Sequence, residues 1–212
     1  MNKTAWIITP WAPDTLFDSY QAISSSDVII AVDGGLERCL ALELEADYLC
    51  GDLDSLDASL VQTFPQEKTW RFPEDKNETD TELALMKIRA MGIRKAVICN
   101  DMQGRVDHVL GLIQNLQWAH LHDIDACVQS ESQKLFIIDN SFHAKGYKGC
   151  LLSLVALKQA AHFKCSSGLK WDLKGLTLEP HLSRGISNQI TADNLQIELA
   201  EGAVLATITK RG

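Results

Sequence analysis

The sequence predicts an α/β protein, with an N-terminal, mostly parallel sheet flanked by helices and then a smaller all-β sandwich domain. Three observations carry this. Continuous apolar runs rich in β-branched residues, Val28-Ile29-Ile30-Ala31-Val32 and Lys95-Ala96-Val97-Ile98-Cys99, read as strands buried on both faces. Helical patterns separate them, which implies βαβ units. From about Tyr147 short β-like segments recur, punctuated by Gly, Ser or Asn, and no long helical pattern remains.

Taken in order, the strand at 28–32 stops at Asp33-Gly34-Gly35, and a helical stretch follows through Leu36, Leu40 and Leu44. Thr79-Asp80-Thr81-Glu82 is a capping-box pattern, in which the Thr79 hydroxyl and the Glu82 carboxylate satisfy free amides reciprocally. The helix it opens runs through Leu83, Met86, Lys87 and Ala90 to a stop at Gly92. A second helix is predicted from about Arg105 to His120, with Val106, Val109, Leu110, Ile113 and Leu116 on its apolar face. Asp125-Ala126-Cys127-Val128-Gln129 reads as a third strand. Later segments are expected at Leu151 to Leu157, Leu176 to Leu178, Ile186 to Thr191, Leu195 to Leu199 and Ala203 to Thr209. The break near 140 to 148 divides an α/β domain over 1–142 from a β-sandwich over 147–212.

The 212 residues carry a formal charge of −8, which argues against a nucleic-acid backbone as partner. No apolar run approaches the roughly 20 residues of a membrane-spanning helix. The N-terminal run Ala5-Trp6-Ile7-Ile8 is too short for a secretory signal, so a cytoplasmic protein is expected. The six cysteines show no C-x-x-C spacing and read as reduced core thiols. His120 and His122 read as surface residues.

In open α/β sheets ligands gather beyond the carboxyl ends of the strands, and the acidic residues fall at those ends. The glycines of Asp33-Gly34-Gly35 would let backbone amides approach a ligand, although such a string is also an ordinary turn. Gly51-Asp52-Leu53-Asp54-Ser55 follows the run Tyr48-Leu49-Cys50. An Asp-x-Asp pair in an extended segment points both carboxylates the same way. Such like charges call for a cation between them, and Mg²⁺ with its oxygen preference suits them. Asp80 lies in the first turn of a helix, a usual place for a cap as well as for a ligand. Asp107 and His108 follow Gly104-Arg105 where the next helix begins. Arg105 offers a planar fork to phosphate oxygens and Lys76 a point charge. No G-x-x-x-x-G-K-[ST] or G-x-G-x-x-G string occurs, so a P-loop enzyme is not expected.

The ordered set Asp33-Gly34-Gly35, Gly51-Asp52-Leu53-Asp54-Ser55, Pro73-Glu74-Asp75-Lys76-Asn77-Glu78-Thr79-Asp80 and Gly104-Arg105-Val106-Asp107-His108 resembles the thiamine pyrophosphokinase family. Ser167-Gly168-Leu169-Lys170-Trp171-Asp172-Leu173 and Gly185-Ile186-Ser187-Asn188 resemble that family's thiamine-side motifs, so the likeness covers nearly the whole chain. It implies a homodimer with sites between subunits, transferring the pyrophosphoryl group of ATP to thiamine with release of AMP. Carried over, Asp52, Asp54 and Asp80 bind Mg²⁺ and the triphosphate, and Asp107 acts with them beside the reacting groups. Asp33, Gly34, Gly35, Ser55, Lys76, Asn77, Thr79, Arg105 and His108 bind ATP. Trp171 stacks on thiamine, with Ser167, Leu169, Ser187 and Asn188 completing the pocket.

The chain departs from the pattern at several points. Asn77 stands where the family usually has aspartate, and Asn100-Asp101-Met102-Gln103-Gly104 lacks glycines. Leu112 stands where asparagine is frequent, and Thr9-Pro10-Trp11-Ala12-Pro13 replaces an Asn-Gly type turn. Rival readings are a pyrophosphokinase for another acceptor, such as a hydroxymethylpterin, and a non-catalytic thiamine or nucleotide sensor. Trp171 and Ser187-Asn188 favour thiamine over a pterin. The four intact aspartates argue against a sensor.

Overall fold

The structure is a computed structural model that describes residues 3–54 and 56–211. It divides into two units, Met1–Glu131 and Ser132–Gly212. The first contains β1 (Thr4–Ile8), β2 (Val28–Val32), α1 (Gly35–Ala41), β3 (Tyr48–Gly51), α2 (Ala58–Thr63), β4 (Thr69–Arg71), α3 (Asp80–Ala90), β5 (Lys95–Cys99), α4 (Val106–Leu121) and β6 (Asp125–Gln129). Its strands pair in parallel in the order β6-β5-β1-β2-β3-β4. Ile7 lies opposite both Ile30 and Ile98, and all three are fully buried. That is why these runs are continuously apolar. The chain builds outward from β1 to β4 and then returns to lay β5 on the other side of β1. The sheet therefore has a topological switch point between β1 and β5.

The helices correct three expectations. α1 ends at Ala41 and leaves Leu40 60% exposed, while Leu44 packs against the core from the following turn. α4 spans nearly the predicted residues, but it buries Leu112, Asn115, Leu116 and Ala119. Val106 and Leu110, placed on the core face by periodicity, are 71% and 56% exposed. Apolar residues stand on more than one side of this helix, so spacing alone did not single out the packed side. Its last turn brings His122 against Trp118, the rings stacked with centroids 4.0 Å apart, so His122 is half-buried rather than a surface residue.

The second unit contains β7 (Gln133–Ile138), β8 (Ser141–Lys145), β9 (Leu151–Ala156), β10 (Ala161–Ser167), β11 (Thr177–Leu178), β12 (Asn188–Gln189), β13 (Asn194–Glu201) and β14 (Val204–Thr209). They form two antiparallel sheets, β12-β9-β14-β7 and β11-β10-β13-β8. Alternating residues such as Leu152, Leu154 and Ala156 on β9 and Leu195, Ile197 and Leu199 on β13 are buried. Phe136 and Phe142 bring one strand of each sheet together, their rings 4.8 Å apart. The division falls at 131/132, earlier than the expected break near 140–148. The reason is pairing: β7 registers along the whole of β14, and β8 along β13.

Candidate active site

In the first unit, parallel strands deliver all their following loops to one end of the sheet. Asp33 directly follows β2 at φ 47°, a left-handed conformation that aspartate tolerates better than most side chains. Its amide donates to the Cys50 carbonyl at 3.0 Å, which ties this turn to β3. A Cβ on Gly51 would lie 1.7 Å from Asp33 Oδ1, so the Asp33 carboxylate occupies the space that Gly51 leaves open. Gly35 is small for another reason: a Cβ there would meet the Ile8 carbonyl oxygen at 2.0 Å, where α1 packs on β1. Gly34 and Gly35 do not border the cleft described below.

Asp52 and Asp54 do not share an extended segment. Leu53 between them is at φ 67° and only 4% exposed. Burying Leu53 in the core turns the chain, and the Asp54 amide donates to Asp52 Oδ1 at 3.2 Å. Asp52 faces inward and Asp54 is exposed. Ser55 lies outside the described residues.

Lys76 reaches in from the loop between β4 and α3. Its Nζ lies 3.4 Å from Asp52 Oδ2 and 3.1 Å from Asp80 Oδ1, with the lysine side chain 11% exposed. It also donates to the Pro73 carbonyl at 3.2 Å. Asp80 is presented by the first turn of α3, whose N-cap Thr79 accepts from the Glu82 amide at 3.2 Å. Asp33 Oδ1 and Asp80 Oδ1 are buried without a hydrogen-bond partner, the approach of Lys76 to Asp80 being an ion pair without hydrogen-bond alignment.

Charge states follow from this crowding. Burial first, then the nearby charges of Asp80 and Asp52, push the Asp33 carboxyl up to about 7. Asp52 is held below the ordinary aspartate range, chiefly by the Asp54 amide and further by Lys76. Burial works against the charge on Lys76, but Asp80 and Asp52 outweigh it and raise the ammonium above its usual value. Among the described residues no three His, Cys, Asp or Glu side chains are gathered as a ready-made metal centre.

Beside this cluster opens a cleft of about 490 Å³ lined by Thr9, Pro10, Trp11, Val32, Asp33, Thr79, Asp80, Thr81, Asn100, Asp107, His108, Gly111, Leu112 and Asn115. Asp33, Thr79, Asp80, Asp107 and His108 were anticipated from sequence; the remainder were not proposed as ligands. Thr9 and Asn100 form its floor at the switch point. Thr9 Oγ1 donates to the Cys99 carbonyl at 2.8 Å and accepts from Asn100 Nδ2 at 2.9 Å, both side chains buried. The available signal was a polar residue placed immediately after each of two apolar strands. Trp11 is 49% exposed and meets the His108 ring edge-on at 5.5 Å. Asp107 is exposed and forks with Arg105, whose guanidinium lowers the Asp107 carboxyl below its usual range. Asn77 is exposed on the Lys76 loop.

In the second unit, Trp171 is 53% exposed on the loop after β10. Asn188, buried on β12, grips that loop: its Oδ1 accepts from the Trp171 amide at 3.1 Å and its Nδ2 donates to the Trp171 carbonyl at 2.7 Å. Leu169 bridges to Ile190, and the Lys170 amide donates to the Gln189 carbonyl at 2.9 Å, so the loop runs along the same segment as Asn188. Lys170 Nζ stands 4.7 Å from the Trp171 ring centroid, so the ring already attracts a cation. Ser167 ends β10 and is exposed. Ser187 is exposed at φ 62°, its amide donating to Ser153 Oγ at 3.0 Å.

Two family models match the chain: thiamin pyrophosphokinase, catalytic domain, over residues 20–128, and thiamin pyrophosphokinase, vitamin B1 binding domain, over residues 138–204. No curated protein matches the sequence. Among solved structures the fold is similar to a thiamine pyrophosphokinase from Bacillus subtilis, at 18% identity and TM-score 0.85, covering 99% of this chain and 100% of that one. It is similar to a thiamin pyrophosphokinase from Geobacillus thermodenitrificans at 22% identity and TM-score 0.81, covering 99% and 98%. A yeast thiamin pyrophosphokinase matches at 16% identity and TM-score 0.75, covering 98% of this chain and 86% of that one. With the catalytic model alone spanning more than half of the sequence, the chain belongs to the thiamine pyrophosphokinase family, the enzymes that transfer the pyrophosphoryl group of ATP to thiamine.

Proposed function

We propose that the carboxylates around Lys76 are the reaction centre of this thiamine pyrophosphokinase, with Asp52, Asp54 and Asp80 facing Mg²⁺ and Asp33 completing the acidic wall. The observation that carries this is the pair of buried oxygens, Asp33 Oδ1 and Asp80 Oδ1, left without hydrogen-bond donors beside a buried ammonium. Such oxygens suit a hard, oxygen-seeking cation. Bound there, Mg²⁺ supplies charge neutralisation for the triphosphate oxygens.

The chain's own residues position and orient. The adjoining cleft takes ATP, with Thr79 and Asp80 at the helix start and His108 on its wall, and Arg105 lines the neighbouring pocket that shares His108. Asn77, exposed on the Lys76 loop, is assigned to the ATP side with them, while Gly34 and Gly35 serve it only by shaping the turn that carries Asp33. The thiamine hydroxyl attacks the β-phosphorus in line with departing AMP, so catalysis rests on alignment and charge rather than on a covalent enzyme intermediate. Asp107 is assigned to the reacting groups as a proton acceptor or charge partner. Trp171 offers its face to the cationic thiazolium or the attached pyrimidine, flanked by Ser167, Leu169 and Ser187 and set in place by Asn188. We assign the chain to a cytoplasmic homodimer with sites shared between subunits. The six free thiols and the exposed apolar Val106 and Leu110 support this reading, and no helix among the described residues is long and apolar enough to cross a membrane.

The test is incubation with thiamine, ATP and Mg²⁺, with chromatographic detection of thiamine diphosphate and AMP. Both are expected to form, and Asp54→Ala should abolish them. Absence of product above that variant while thiamine still binds would overturn the assignment.

A further inference from the structure

We propose that Lys76 is an exchangeable internal counter-ion, which bridges Asp52 and Asp80 in the ligand-free enzyme and gives them up when a metal–nucleotide complex enters. This rests on the reading of Asp52 and Asp80 as metal-facing residues.

The argument begins with placement. Lysine is seldom this buried unless paired, and here its ammonium meets two aspartates and the Pro73 carbonyl. Lys76 is the cation that bridges Asp52 and Asp80. It holds together carboxylates that would otherwise repel one another. The same placement blocks a divalent cation, because two cations cannot share Asp52 Oδ2 and Asp80 Oδ1 at contact distance.

The hold is built to be released. Lys76 lies in an irregular loop between β4 and α3, not in a strand or helix. Its hydrogen bonds to Asp52 and to the Pro73 carbonyl are long, at 3.4 and 3.2 Å, and its contact with Asp80 is an ion pair at 3.1 Å, so no short directional bond is lost when it leaves. A triphosphate arriving with its metal offers the ammonium new oxygen acceptors within the reach of a flexible four-carbon stem. A free divalent ion offers none. Lys76 therefore selects for the metal that comes with a nucleotide over the metal alone.

The experiment measures Mn²⁺ binding by electron paramagnetic resonance, without nucleotide, on the full chain. Lys76→Met is expected to bind Mn²⁺ about tenfold tighter than wild type or more, within the usual range of coupling between two ligands. It should also bind Mg²⁺ with a non-hydrolysable ATP analogue more weakly, since the ammonium is no longer there to meet the phosphates. Lys76→Arg keeps the charge and protects the fold, and should bind Mn²⁺ no tighter than wild type. Unchanged or weaker Mn²⁺ binding by Lys76→Met, or tighter binding by Lys76→Arg, would overturn the exchange. If Asp80→Asn still removes Mn²⁺ binding in that case, the metal reading survives by itself. Mn²⁺ binding indifferent to both Asp52→Asn and Asp80→Asn would remove the metal reading and the exchange together.

Discussion

Gly51 is where the geometry of the acidic cluster is least forgiving. The Asp33 carboxylate fills the space of a missing side chain, and Gly51 itself lies at φ 152°. Gly51→Ala should therefore cost about 2–4 kcal/mol, as overpacking beside a buried charge does, and abolish turnover. Urea denaturation and a product assay check this. Adding Asp33→Ala should recover part of the stability and none of the activity. At this scale the sequence was informative where a residue type is needed for its own chemistry: Asp33, Asp52, Asp80 and Lys76 were all named. Thr9 and Asn100 were not, because their importance arises only when β1 and β5 become neighbours, and 90 residues of chain separate Thr9 from Cys99. The bend between Asp52 and Asp54 was hidden for a similar reason, since the core that draws Leu53 inward assembles from distant segments.

Among the elements, the strands were the most legible. A run buried on both faces is apolar at its centre, so β2, β5 and β6 could be read directly, with bounds that the structure reproduces. α4 was legible in extent and partly in facing: Leu116 is buried and Val109 and Ile113 are half-buried, while the exposed Val106 and Leu110 imitate a core stripe. β7 lies before the expected break and β8 within it, and only their partners β14 and β13 reveal where they belong. β1 depends on a contact that no periodicity shows. Asp27, just before β2, accepts from the Thr4 amide at 2.9 Å and from Trp6 Nε1 at 3.2 Å, besides the Ser24 amide at 3.0 Å. Burial alone would raise its pKa, but these donors outweigh that and hold the carboxyl below its ordinary 3.8. A carboxylate with a depressed folded-state pKa stabilises above the unfolded value and loses that contribution as pH falls through the folded one. Asp27→Ala should thus cost about 1–2 kcal/mol at neutral pH, allowing for screening of a part-exposed group. The gap to wild type should close below pH 3.8, as followed by denaturation across pH.

For the whole molecule, the two family models fall on separate units, the carboxylate cluster in one and Trp171 in the other. If each reaction centre of the proposed homodimer draws on both chains, two inactive variants should complement each other. Asp54→Ala mixed with Trp171→Ala, unfolded and refolded together, should recover about a quarter of wild-type activity. Half of randomly paired dimers would then carry one intact centre of two. No recovery, with mixed dimers demonstrated by differently tagged chains, would place each centre within one chain.

The parallel sheet of the first unit sends every loop of the reaction centre to the carboxyl ends of its strands. The opposite ends, at Lys3, Lys95 and Asp125, carry exposed side chains outside the cleft. Drift therefore has a free face to work on, where substitutions alter neither the core nor the chemistry. An identity of 18% beside a TM-score of 0.85 is what such freedom leaves: the shape of the scaffold is kept while most of the chain is rewritten.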